Sequence, residues 1–252
     1  MCAWRTLAVV AALIASLSAC AGPEAQRERE DAAQMQYDIG VGALAEGKFP
    51  KAIASFEAAA RDDPSNARYH YALGNTLLRM GKTEEAIPPL RRAVELNPRF
   101  SDAYNDLAAC YIQQEKWDQA IDALRRALAN PQYMTPERTY LNLGNVYYLR
   151  GQYAMAEEQF RKVVDIVPQS PDGYYFLGRT FLAQGRAGEA RELFERAIKL
   201  DGTIPAFHYE MGMALLKEGR QAEARDSLRR VVELNPVGPE ADRARQALRE
   251  LR

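Results

Sequence analysis

The sequence is poor in the residues that most often carry chemistry. It holds three cysteines, Cys2, Cys20 and Cys110, and two histidines, His70 and His208, in 252 residues. So few dispersed Cys and His residues make no set with metal-ligand spacing, and the sequence predicts neither a metal centre nor a cofactor. Net charge is lacking too: 33 basic side chains nearly cancel 34 acidic ones, leaving −1. A chain without an overall basic field is not expected to bind nucleic acid. The run Gly74-Asn-Thr-Leu-Leu-Arg-Met-Gly81 superficially resembles a phosphate-binding loop. It has helical periodicity and no Gly-Lys-Ser/Thr, so it is read as helix. His70 and His208 have no acid–base partner at a useful spacing, and Cys110 sits beside Ala108 and Ala109 as a small apolar residue. With no catalytic constellation, the expectation is a protein that is not an enzyme and has no small-molecule substrate.

Outside the first twenty residues no long apolar run occurs. Thr6 to Ala19 (TLAVVAALIASLSA) is shorter than the roughly 18–20 residues a membrane-spanning helix needs, and it reads as the apolar region of a secretory signal, residues 1–19. Its end, Leu17-Ser18-Ala19-Cys20, resembles the lipobox of bacterial lipoproteins. That resemblance implies cleavage before Cys20, acylation of its thiol, and attachment to a lipid bilayer. The alternative is ordinary cleavage after Ala19, leaving the thiol unmodified. Ala21 follows the cysteine in place of the Asp that resembles an inner-membrane retention signal, so the expected address is the outer membrane, facing the periplasm. Residues 20–32 then read as a lipidated N-terminus and a charged tether.

From Ala33 the chain repeats itself. Gly40 to Gly47, Gly74 to Gly81, Gly144 to Gly151, Gly178 to Gly185 and Gly212 to Gly219 are paired glycines at one spacing, each followed by an alanine: Ala52, Ala86, Ala156, Ala190 and Ala224. The third unit has Ala108 and Glu115 in place of the glycines and keeps Ala120. This spacing resembles the tetratricopeptide repeat, a helix-turn-helix unit of about 34 residues. The fold class expected is all-α, a right-handed superhelical solenoid of six repeats: 33–66, 67–100, 101–136, 137–170, 171–204 and 205–238. Small residues at Gly74 and Ala86 allow close helix approach, and the large residues Phe56, Leu90, Leu124, Phe160, Phe194 and Leu228 are expected to fill the space between units. Residues 239–252 carry Ala241, Ala244, Ala247, Leu248 and Leu251 at helical spacing and are expected to cap the sixth repeat.

The register slips once. Asn130-Pro131 is expected to stop one helix and Thr135-Pro136-Glu137 to cap and start the next, two residues later than elsewhere. Either this joint divides the array into three plus three, or it is a neutral loop insertion.

In the solenoid, first helices line a concave surface. The repeat frame puts Tyr37, Tyr71, Asn75, Leu78, Asn105 and Ile112 there from the first three units. It puts Asn142, Asn145, Tyr148, Tyr175, Arg179, Tyr209 and Met213 there from the last three. Aromatic anchors among aliphatic groups and amides suit an amphipathic helix or an extended peptide. Tyr71 and Leu141 stand where a carboxylate-clamping repeat protein would carry lysine.

A lipobox, six such repeats and the insertion Tyr133 to Gly144 together resemble the pilotins of type IV pili, the PilF, PilW and Tgl group. The resemblance implies an assembly factor that binds secretin monomers, brings them to the outer membrane by its lipid, and promotes the multimers through which pili extend and drive motility. Two alternatives stand beside it: an envelope adaptor for cell-wall enzymes, and a structural subunit of an outer-membrane assembly complex.

Overall fold

A computed structural model of the chain describes residues 22–251. The expected signal segment and Cys20 lie outside these residues. The described residues form thirteen helices and no strand. In order they are α1 (Pro23–Ala45), α2 (Phe49–Asp62), α3 (Ala67–Arg79), α4 (Thr83–Leu96), α5 (Ser101–Gln113), α6 (Trp117–Leu128) and α7 (Pro136–Leu149). They continue with α8 (Tyr153–Ile166), α9 (Pro171–Ala183), α10 (Ala187–Leu200), α11 (Pro205–Lys217), α12 (Gln221–Leu234) and α13 (Pro239–Glu250). The chain divides within α5 into two compact units, the first ending at Cys110 and the second beginning at Tyr111. In the first, α1 packs on α2, α2 on α3 and α3 on α4. In the second, α7 to α13 pack each on the next, and alternate helices α7, α9, α11 and α13 also touch in sequence.

Each hairpin closes around a small residue and a large one. A Cβ added at Gly144 would stand 2.5 Å from the Phe160 ring, and Phe160 is itself 1% exposed. The ring therefore lies directly against the backbone of α7, which only glycine permits. Gly40 against Phe56 and Gly178 against Phe194 repeat the arrangement, while Leu90 and Leu228 serve Gly74 and Gly212. The second glycine ends the first helix: Gly151 takes φ +71°, the left-handed conformation in which a side chain is strained. In the third repeat Glu115 occupies that place at φ +56°, so it carries the strain that glycine relieves elsewhere.

Five of the six connections that follow a second helix also share one device. Asp63, Asn97, Asn130, Asp201 and Asn235 each accept, on the side chain, the backbone N–H two residues on, at 2.9–3.3 Å. This Asx turn leads straight into the next helix at most connections, with Phe100 followed by Ser101 and Ile204 by Pro205. At the joint the turn itself is ordinary, with Tyr133 N–H donating to the Asn130 carbonyl at 3.1 Å. Met134 and Thr135 then intervene before Pro136, and Met134 is 88% exposed. Thr135 sits at the cap position of α7 without a side-chain hydrogen bond, whereas Asn66 and Ser170 cap α3 and α9. The expected Thr135 cap is thus positional only. The joint lies inside the second unit, with α6 packed on α7 across it, and the division into units falls earlier, in α5.

Two further expectations change or gain detail. The charged segment Pro23 to Ala32, expected as a tether, is helix, continuous with the first repeat in α1. Its Gln26 donates to Glu30 one turn on, at 3.0 Å, the side-chain pairing that supports an exposed helix. The end cap forms as expected: Ala244 on α13 packs on Leu228 and Val231, with Leu248 and Leu251 at its margin.

Candidate functional site

Every residue expected on the groove lies on a first helix, but the two units use those residues differently. In the first unit Tyr37 turns into the core, its ring 5.6 Å from Phe56 and 5.4 Å from Tyr69, with Arg68 across its face at 5.1 Å. Tyr71 packs on Phe100 with ring centres 4.6 Å apart. The Asn75 amide donates to Asp106 Oδ2 at 2.6 Å, and Asp106 is 0% exposed. Asn105 is also 0% exposed, so it is a core residue and not part of any surface a partner meets. Repeat position alone, which puts Asn105 on the groove, does not distinguish a residue facing the groove from one facing the neighbouring helix. Leu78 in the first unit, and Ile112, Asn142, Asn145 and Met213 in the second, are half-buried on their first helices.

The second unit assembles a connected set. Arg179 on α9 lies over the rings of Tyr148 on α7, at 4.9 Å, and Tyr175 on its own helix, at 5.6 Å. Its Nε stands 3.5 Å from Glu210 Oε1 on α11, with the two side chains 30% and 19% exposed. Tyr209, beside Glu210, is covered by Arg243 of the capping helix at 4.8 Å, and Arg243 is paired with Glu240 at 3.1 Å. Guanidinium groups over aromatic faces are held flat while keeping their edges for other partners. Tyr175 packs at its far side on Phe207, with ring centres 4.9 Å apart. Burial pushes its hydroxyl above the ordinary range, opposed by the Arg179 charge. Burial likewise raises the Glu210 carboxyl, against the pull of Arg179 and Arg243.

Glu210 and Arg243 were not among the residues read from the sequence. A signal was present. Asn75 and Arg179 occupy one repeat position, and the acids Asp106 and Glu210 follow each by the same interval. An amide or guanidinium followed at that interval by an acid marks a rung between adjacent first helices.

Away from this face, charged contacts tie successive repeats of the second unit. Arg150 pairs with Asp118 at 2.7 Å, Arg186 with Glu157 at 3.1 Å, and Arg191 with Glu218 at 3.1 Å. Glu157 sits below the ordinary carboxylate range: burial acts to raise it, but hydrogen bonds from Arg161 and Gln184 and the charge of Arg186 outweigh that. The histidines behave as packing variants of an aromatic position. His70 reaches the Pro64 carbonyl at 3.1 Å and His208 the Gly202 carbonyl at 3.0 Å, as the Tyr174 hydroxyl reaches that of Pro168 at 3.3 Å. Cys110 is 0% exposed and burial, with nearby Asp106, pushes its thiol up to about 12, which removes it as a nucleophile.

Comparison with known proteins agrees with the repeat frame. One model of the tetratricopeptide repeat matches residues 37–98, 71–135 and 172–239, and a second matches 135–202. No curated protein matches the sequence. Among solved structures, PilF of Pseudomonas aeruginosa superposes with a TM-score of 0.75 at 20% identity, covering 87% of this chain and 99% of PilF. PilW, described as a widely conserved type IV pilus biogenesis factor, gives 0.76 at 20% identity, covering 82% of this chain and 96% of PilW. YrrB, described as a repeat protein with an unusual peptide-binding site, gives 0.60 at 20% identity over 76% of this chain and 97% of YrrB. At these identities the likeness is one of fold. Paired helices closed by small and large residues, recurring along the chain and matched by family models over most of its length, place the protein in the tetratricopeptide repeat family.

Proposed function

We propose that the protein is a pilotin: a lipoprotein anchored in the outer membrane through acylated Cys20, facing the periplasm, that binds secretin monomers and promotes their multimerisation for type IV pili. It acts by binding, without catalysis. The observation that carries this reading is the coincidence of a lipobox cysteine with an array whose fold runs 99% of the length of PilF and 96% of that of PilW. A repeat scaffold alone fits many roles; one that begins just after an anchor and has the extent of those proteins fits far fewer. The resemblance to pilotins supplies the client, and the first-helix faces supply aromatic surface for it.

The physical mechanism is mass action combined with orientation. Acyl chains contribute about 0.8 kcal/mol per buried CH₂, enough in combination to hold the protein at one membrane surface. A client bound there is confined with its fellows to that surface, which raises their effective concentration. The bound face shields apolar client surface until neighbouring monomers replace it. The test is Cys20→Ala in cells. The variant is expected to stay folded and to bind secretin monomer while detergent-resistant secretin multimers disappear from the outer membrane. Normal multimers in that strain would refute the reading.

A further inference from the structure

We infer that Arg179 is a carboxylate-reading residue, and that the segment bound across α7, α9 and α11 presents an Asp or Glu side chain to it. The inference rests on the protein-binding reading above, and on no particular client. Its basis is the state of the guanidinium. Arg179 lies over Tyr148 and Tyr175, its guanidinium carbon 4.9 Å and 5.6 Å from their ring centres. Its ion pair to Glu210 runs through Nε at 3.5 Å, longer than a charge-assisted hydrogen bond of about 2.7–2.9 Å. No hydrogen bond from the described residues engages its terminal amino groups. A planar donor fork placed over two rings, paired through Nε and 30% exposed, keeps its terminal amino groups for an incoming carboxylate.

The equivalent rung in the first unit is built differently. Asn75 there spends its amide on Asp106 at 2.6 Å, inside the protein. That rung is closed, whereas the Arg179 rung is satisfied on one side only. Glu210 takes a double role: its charge keeps Arg179 in place in the empty protein, and it repels the carboxylate that Arg179 attracts. This predicts a response that a purely structural ion pair would not give, because removing the Glu210 charge should strengthen binding of an acidic segment.

The test uses the purified full-length protein in detergent, panned against phage-displayed random dodecapeptides. The selected sequences are expected to share an Asp or Glu at one fixed place. By fluorescence anisotropy, a selected peptide should lose about tenfold or more in affinity to Arg179→Gln, the effect of one hydrogen-bonded charge. Arg179→Lys, which keeps charge without the fork, should fall between, Asn75→Ala should match wild type, and Glu210→Gln should bind several-fold more tightly by the same reasoning. Selections with no shared acid overturn the inference. So does unchanged affinity in Arg179→Gln with native circular dichroism, or weakened binding in a folded Glu210→Gln. Secretin has no part in this readout, so the inference and the pilotin reading fail separately.

Discussion

In the first unit Asn75 donates to a wholly buried Asp106 at 2.6 Å; in the second, the residues at the same repeat positions, Arg179 and Glu210, stand 3.5 Å apart and are half-buried. The charged ties between repeats differ in parallel. Arg150, Arg186 and Arg191 form ion pairs in the second unit, while in the first Arg79 covers the Phe49 ring at 5.5 Å. Both units keep the same internal frame of a glycine facing a large side chain. The repeat therefore prescribes what lies between its helices and leaves their outer faces free to diverge. One unit has closed its rung; the other has left a guanidinium available.

The frame gives the largest expected effect, and it should not distinguish the units. Phe56→Ala and Phe160→Ala each remove a ring that is 1% exposed and should each lower stability by about 3–5 kcal/mol in urea unfolding. A large loss in one and a small loss in the other would break the claim of a shared frame. The rungs should then separate the units. Asn75→Ala takes a hydrogen bond from buried Asp106 and should cost about 1–3 kcal/mol. Arg179→Ala, with a longer and more exposed pair, should cost about 1 kcal/mol or less. The reverse order would mean that the second rung, not the first, is the structural one.

These expectations also show where the sequence was sufficient. Periodicity and paired glycines located the helices closely, because burial against a neighbour and positive φ admit few residue types. α3, α5 and α11 begin at the expected Ala67, Ser101 and Pro205. The face residues were legible as positions but not as contacts. Asn105 was assigned to the surface and is core, and Glu210 and Arg243 were missed, because a rung depends on which side chains meet across helices. The segment after Gly22 was read as a tether from its charge, yet its i,i+4 pairing and its continuity with a packed helix make it helical. The register slip is legible in the sequence; Met134 and Thr135 fill it, because the turn itself closes normally at Tyr133.

Two smaller effects refine the comparison. Glu115→Gly relieves a side chain at φ +56° and should stabilise the protein by about 1 kcal/mol, measured as a rise in unfolding midpoint. A loss would mean that the Glu115 side chain makes a compensating contact. The Arg186–Glu157 tie is a small effect, and Arg186→Ala should cost under about 1 kcal/mol at neutral pH. Because the folded Glu157 carboxyl lies below the ordinary value of 4.5, its contribution is present above that value and is lost as pH falls through the lower folded one. The difference between Arg186→Ala and wild type should shrink over that interval.

Hydrogen exchange on the full-length protein, with and without purified secretin monomer, tests the central claim most directly, since it reports both whether the client binds and which first helices it covers. The account predicts slowed exchange in α7, α9 and α11 around Tyr148, Arg179 and Glu210, with α3 around Asn75 unchanged. No protection anywhere, or protection confined to the helices of the first unit, would contradict it.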